Sequence, residues 1–167
     1  MVQFMLPNFL SDKFKIESLK LVNIDCLYVG LLGRNTNRIR YVSIKKTPHY
    51  YFVKNFIDDE NMSYDSERLS YGDYSEINSD ACSVDDFIKL IENIMSNGYI
   101  YKESPICVFK HWSRPLPVWR LDVADGFHRL AVLAALGETK IMVCKLKYKN
   151  NIISRLVRKL TNFFFMD

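Results

Sequence analysis

Val123-Ala124-Asp125-Gly126-Phe127-His128-Arg129-Leu130-Ala131-Val132-Leu133-Ala134-Ala135-Leu136-Gly137 decides how the second half of the chain is read. Residues 118–124 have strand composition, residues 127–136 form a compact apolar helix pattern, and Gly137 stands where a helix C-cap belongs. Residues 140–146 then alternate sides as a strand does. The segment 123–146 is therefore expected to be strand, turn, helix and strand, with the turn at Asp125-Gly126-Phe127-His128-Arg129.

A strand that runs into Asp-Gly and at once into a helix has a chemical consequence. Glycine permits a tight turn and close approach of a ligand to the backbone. The first N–H groups of a helix have no partner within it and suit an anion. Arg129 falls in the first helical turn, where its forked guanidinium can clamp phosphate oxygens. His128 can donate a hydrogen bond or move a proton near neutral pH. Asp125 would repel a bare phosphate, so a proton, a substrate hydroxyl or a magnesium ion suits it better. The turn is read as an anion site in which Gly126, Phe127 and Arg129 hold phosphate while Asp125 and His128 supply the chemistry. Taken singly, the residues have a plainer use: Asp125 capping the helix, His128 and Arg129 solvated.

Upstream, residues 27–31 and 39–44 are rich in β-branched and aromatic side chains. They flank Gly33-Arg34-Asn35-Thr36-Asn37, a turn composition that predicts a hairpin. Thr47-Pro48 reads as an N-cap followed by proline at the first helical position, predicting a helix over 48–56 with Tyr51, Phe52 and Phe56 near one face. Residues 58–82 are acidic and tyrosine-rich and predict a short helix or irregular loop. Ser83-Val84-Asp85-Asp86 starts a helix in which Phe87, Leu90, Ile91, Ile94 and Met95 recur at helical spacing, and Gly98 ends it. Residues 105–109 read as a strand, and Pro115 and Pro117 break the chain before the next. Ile152, Ile153, Leu156, Val157, Leu160, Phe163 and Phe164 mark an amphipathic helix, with Arg155, Arg158 and Lys159 on its other faces. The pattern predicts a small α/β (α+β) domain with a mixed sheet over 1–150, and a docking or lid helix over 151–167.

The 167 residues, 49% apolar and 25% charged, suffice to bury a core and contain no repeat or low-complexity tract. No basic segment precedes a long apolar run at the N-terminus, and no stretch reaches the roughly 18 apolar residues of a spanning helix. Cys26, Cys82, Cys107 and Cys144 stand far apart and are expected to be buried reduced thiols rather than disulfides or zinc ligands. A cytoplasmic location follows, at the inner membrane face if the 151–167 helix lies on an anionic surface. Net charge is +6 over 1–57, −9 over 58–103 and +7 over 104–167. That segregation suits an anionic ligand held by the ends of the chain, or segments that neutralise one another in the fold.

Residues 124–137 resemble the D-G-x-H-R-L-x-A-x-x-x-L-G segment of ParB/sulfiredoxin-like domains, out to the following strand. That superfamily includes sulfiredoxins, ParB-type CTPases of plasmid and chromosome partition, and free-serine kinases. Its members commonly bind nucleotide phosphates at this helix N-terminus. The resemblance implies a small mixed-sheet domain and a nucleotide, ATP or ADP, bound with Mg²⁺. Sulfiredoxin has a nucleophilic cysteine where this chain has Phe127, which counts against sulfinic-acid repair. ParB proteins use a G-E-R-R turn and add a helix-turn-helix domain, for which the segment after the last strand leaves no room. The histidine-containing turn looks more like the small-molecule kinase branch. Asp25 is the nearest counterpart of the glutamate that serine kinases carry near their N-terminus, and it also reads as a loop residue. Thr47-Pro48-His49-Tyr50-Tyr51-Phe52-Val53, with Tyr71 and Tyr74, resembles superfamily members associated with bacterial surface-polysaccharide gene sets. His49 is expected either to meet the phosphate site or to be a half-buried helix-start histidine. Arg34, with Arg38 and Arg40, is a candidate phosphate or substrate contact or a solvated arginine.

Functions of different classes follow. One is a nucleotide-dependent phosphotransferase acting on a small hydroxyl-bearing molecule or sugar, in surface polysaccharide synthesis. Another is a nucleotide- or nucleic-acid-binding regulatory module without turnover. Nucleic acid is the weaker partner, since no aromatic-plus-basic strand signature of an RNA-binding sheet is present. A third is a silent accessory protein of a membrane-associated assembly, with 151–167 contacting a membrane surface or a second copy of the chain.

Overall fold

The structure, a computed structural model, describes residue 6 and residues 8–33, 36–58, 70–77, 82–113 and 118–149. The helix expected over 151–167 and the candidate Arg34 lie outside the described residues. The elements are α1 (Asn8–Ser11), β1 (Phe14–Asn23), β2 (Leu27–Gly33), β3 (Thr36–Ser43), α2 (Pro48–Asp58), α3 (Tyr71–Ile77), α4 (Val84–Asn97), β4 (Ile106–Ser113), β5 (Val118–Asp125), α5 (Phe127–Ala135) and β6 (Lys140–Tyr148).

Six strands form one mixed sheet in the order β1-β6-β4-β5-β2-β3. Three pairs are antiparallel (β1 with β6, β4 with β5, β2 with β3), and β6 with β4 and β5 with β2 are parallel. The α/β domain with a mixed sheet is thus as the sequence predicts, including the β2–β3 hairpin. Strand β1 is an addition. It lies at the sheet edge, where one flank and much of one face are open, so Lys15, Glu17 and Lys20 dilute its apolar alternation.

Alternate residues of a strand face opposite sides. Leu27 and Val29 of β2, Ile106 and Val108 of β4, Val123 of β5, and Ile141 and Val143 of β6 share one core with Val53 of α2 and with Phe87, Ile91 and Ile94 of α4. Leu130 to Ala135 of α5 are all buried in that same core, which is why α5 has no polar stripe. The intervening positions Cys107, Cys144 and Leu146 join Leu10 and Phe14 in a second, smaller cluster.

Local chemistry sets the helix ends. Thr47 Oγ1 accepts from the Tyr50 N–H at 3.2 Å, and Ser83 Oγ accepts from the Asp86 N–H at 3.2 Å. Caps of this kind are each worth about 1 kcal/mol. Two helix faces differ from the sequence reading. In α2 the buried residues are Pro48, His49 and Val53, while Phe56 in the last turn is 39% exposed. In α4 the buried stripe is Phe87, Ile91 and Ile94, and Met95, one residue off it, is 49% exposed. All four cysteines are free thiols, but only Cys107 and Cys144 are buried. Cys26, in a 3₁₀ turn rather than a strand, is exposed, and Cys82 is half-buried. Among the described residues, no helix is long and apolar enough to cross a membrane.

Candidate anion-binding cleft

Register places the turn. In the β4–β5 pair Cys107 stands opposite Asp125, with an irregularity between Cys107 and Val108. The residues leading into β4 therefore lie beside the end of β5, where α5 begins. Gly126 takes a left-handed conformation, φ 93°, that glycine adopts at little cost. No side chain caps α5, in contrast to α2 and α4, so its first N–H groups are left for another acceptor. A cleft of about 930 Å³ opens in front of this turn. Its far wall is Leu90, Asn93, Ile94 and Asn97 of α4, and its floor includes Glu103, Ser104 and Phe127. The volume lies within the range of small-molecule and cofactor sites.

Arg129 is engaged rather than solvated. Its Nη2 lies 3.1 Å from Asp125 Oδ2, and Nη1 donates to Ser104 Oγ. Its Nε is buried with no partner. Asp125 therefore pairs with Arg129 and does not cap α5. A Cβ on residue 126 would stand 3.0 Å from Arg129 Nη2 and 3.0 Å from Ile106 Cγ1. The close approach that glycine permits is made here by the guanidinium of Arg129.

His128 turns inward. Its Nε2 lies 2.8 Å from the Tyr71 hydroxyl oxygen, and that hydroxyl donates to the Cys82 carbonyl oxygen at 2.6 Å. The ring packs edge-on to Phe87 at 4.7 Å and to His49 at 4.8 Å. Burial, then the Arg129 cation, lowers its pKa to about 4. His49 is only 2% exposed, and it packs against Tyr71 and Tyr74 at 5.1 and 5.0 Å with its Nδ1 unpartnered. Burial, then the neighbouring His128, takes its pKa to about 3. Both rings are neutral at pH 7. The expected meeting of His49 with the site is thus indirect: it stands behind His128 and is not part of the cleft lining.

The structure brings Asp125, Gly126, Phe127, His128 and Arg129 together around one cleft. Asp25 is elsewhere, exposed in the turn before β2 and paired with Lys45 at 2.8 Å. Arg40 is exposed on β3, the opposite sheet edge from β1. Sequence reading missed Tyr71 and Ser104 as partners. Tyr71 stood out as one of the tyrosines in an acidic stretch and, with Tyr74, in the resemblance that includes His49, but not as a partner of His128; Ser104 had no signal, since only the β4–β5 register brings it to Arg129. Among the described residues, the ion pairs at Asp25, Asp86, Asp122 and Asp125 each lie within one charge segment, Glu17–Lys145 joins the two basic segments, and Lys54–Asp58, one helical turn, joins the first basic segment to the acidic one.

Magnesium usually takes one or two carboxylates plus phosphate oxygens and keeps several waters. Asp125, with Glu103 on the same cleft, fits an ion that arrives with the phosphates. Among the described residues, no group of three or more His, Cys, Asp or Glu could hold a metal ion by itself. Comparison with protein-family models, with curated proteins and with solved structures finds no match to this chain.

Proposed function

We propose that the cleft before α5 binds the phosphates of a nucleotide, and that the protein transfers a phosphoryl group to a small hydroxyl-bearing molecule or sugar, in surface polysaccharide synthesis. One observation carries the reading: an uncapped helix N-terminus and the Arg129 guanidinium converge on a cleft of about 930 Å³. Phosphoryl transfer needs little covalent help, so positioning and charge neutralisation are the main demands on the protein. The turn N–H groups and Arg129 meet the phosphate oxygens. Asp125 orients the acceptor hydroxyl, and it would help to hold the nucleotide's Mg²⁺, whose charge would offset the repulsion between this carboxylate and phosphate. A magnesium ion, when bound, would neutralise charge on the transferred group. Walls that exclude water strengthen each of these interactions.

The test is a thermal-shift screen of ATP, ADP, CTP and inorganic pyrophosphate, with and without Mg²⁺, followed by a search for nucleoside diphosphate release with polyols and sugars. A ligand bound only by the native state raises the midpoint by mass action. If millimolar nucleotide or pyrophosphate leaves the midpoint unchanged, the reading falls. A second reading, a nucleotide-binding regulatory module without turnover, is favoured by one feature. Both groups available for chemistry are already engaged, Asp125 by Arg129 and His128 by Tyr71. Tight binding with no product in any acceptor mixture would select it.

A further inference from the structure

The Tyr71 hydroxyl has one proton, and it goes to the Cys82 carbonyl oxygen 2.6 Å away. A carbonyl cannot donate, so that proton cannot also serve His128. The 2.8 Å contact between the Tyr71 oxygen and His128 Nε2 therefore takes its proton from the imidazole. A neutral imidazole carries one N–H, and with that proton on Nε2 the other nitrogen, Nδ1, is a bare acceptor. Among the described residues, no donor is bonded to Nδ1, and His128 is one of the residues that line the cleft. An uncharged lone pair repels a phosphate oxygen, which has lone pairs of its own. It attracts an O–H or N–H.

We propose that Tyr71 is a positioning residue that holds His128 as the Nε2-protonated tautomer, so that Nδ1 receives a hydroxyl or amine hydrogen of the ligand while phosphate is left to Arg129 and the turn. The inference rests on reading the cleft as a phosphate-ligand site, and it divides that site by chemistry. Anionic oxygens go to the mouth of α5, and the donor end of the ligand goes to His128, whose ring is backed by Tyr71, Phe87 and His49. Tyr71 touches no ligand itself. It acts through the ring it orients.

Long-range ¹H–¹⁵N correlation spectra of the labelled full chain read the tautomer of each of its three histidines at neutral pH. The His128 signals are identified by their loss in His128→Asn. The expected result is a protonated Nε2 and an unprotonated Nδ1. A wild-type ring protonated on Nδ1, or on both nitrogens, overturns the proposal without recourse to any variant. Tyr71→Phe should then release the ring, and the two nitrogen shifts should converge as tautomers mix. A folded Tyr71→Phe protein with unmoved His128 shifts overturns it equally. Inorganic pyrophosphate probes the underlying reading separately. It is expected to move the backbone amide signals of 126–129 and to leave Nδ1 unprotonated. If it moves none of those amides, the phosphate reading fails whatever the tautomer. If it moves them and protonates His128, the phosphate site stands and the division of the cleft proposed here is wrong.

Discussion

Gly126 lacks a Cβ at the place where Arg129 folds back across the turn: a Cβ there would stand 3.0 Å from Arg129 Nη2 and 3.2 Å from its Nε. Gly126→Ala should therefore destabilise twice over, through its left-handed φ of 93° and through displacement of the guanidinium. The conformational part alone is about 1–2 kcal/mol. Urea denaturation measures the sum, and a variant with the wild-type midpoint would show that the turn relaxes freely.

Arg129→Ala should weaken binding of pyrophosphate or nucleotide by roughly 1.5–3 kcal/mol, the range for a charged hydrogen bond. Arg129→Lys should not restore it, because a point charge cannot reproduce the fork that reaches Asp125 and Ser104 together. Titration calorimetry distinguishes these outcomes, and full rescue by lysine would argue for charge alone.

Asp125→Asn should tighten metal-free pyrophosphate binding, since it removes both the carboxylate that holds Arg129 at 3.1 Å and its repulsion of the ligand. It should also reduce any gain in affinity that Mg²⁺ confers. Weaker metal-free binding by this variant would mean that Asp125 orders the arginine for the ligand instead of competing with it.

Acid should unfold the protein through its two buried histidines. Their folded pKa values, about 3 for His49 and about 4 for His128, lie below the ordinary value of 6.5, so the unfolded chain binds more protons than the native one. Their contribution is complete above about pH 6.5 and declines as pH falls toward the folded values, by up to about 1.4 kcal/mol per pH unit for each ring. Denaturation in urea at a series of pH values measures the slope. His49→Phe should remove about half of it between pH 6 and pH 4, and an unaltered slope would mean that other groups take up the protons.

Alkylation should separate the thiols. Cys26 is exposed and should react first with iodoacetamide under native conditions. The contact between Cys107 and Cys144 pushes the Cys107 thiol up and the Cys144 thiol down, but both are buried away from the reagent, so both should label only on unfolding. Mass mapping of Cys107 or Cys144 as fast-reacting sites would show that the smaller core opens readily.

The strand, turn and helix at 118–137, the capped helix α4 and the β2–β3 hairpin were legible in the sequence because their determinants act over four residues or fewer. Those determinants are a hydroxyl on a nearby N–H, a glycine at a helix end, and a period of 2 or 3.6. The same locality identified Asp125, Gly126, Phe127, His128 and Arg129 as neighbours at a helix start. What each side chain does there was decided elsewhere. His128 meets Tyr71 across 57 residues, and Arg129 meets Ser104 across 25. Strand β1 acquires its place only by pairing with β6, near the other end of the described chain. An imidazole or guanidinium leaving water must find a partner in whatever surface the sheet order brings beside it. That surface is set by how the strands are ordered and by which faces the helices cover, which no local run of residues encodes.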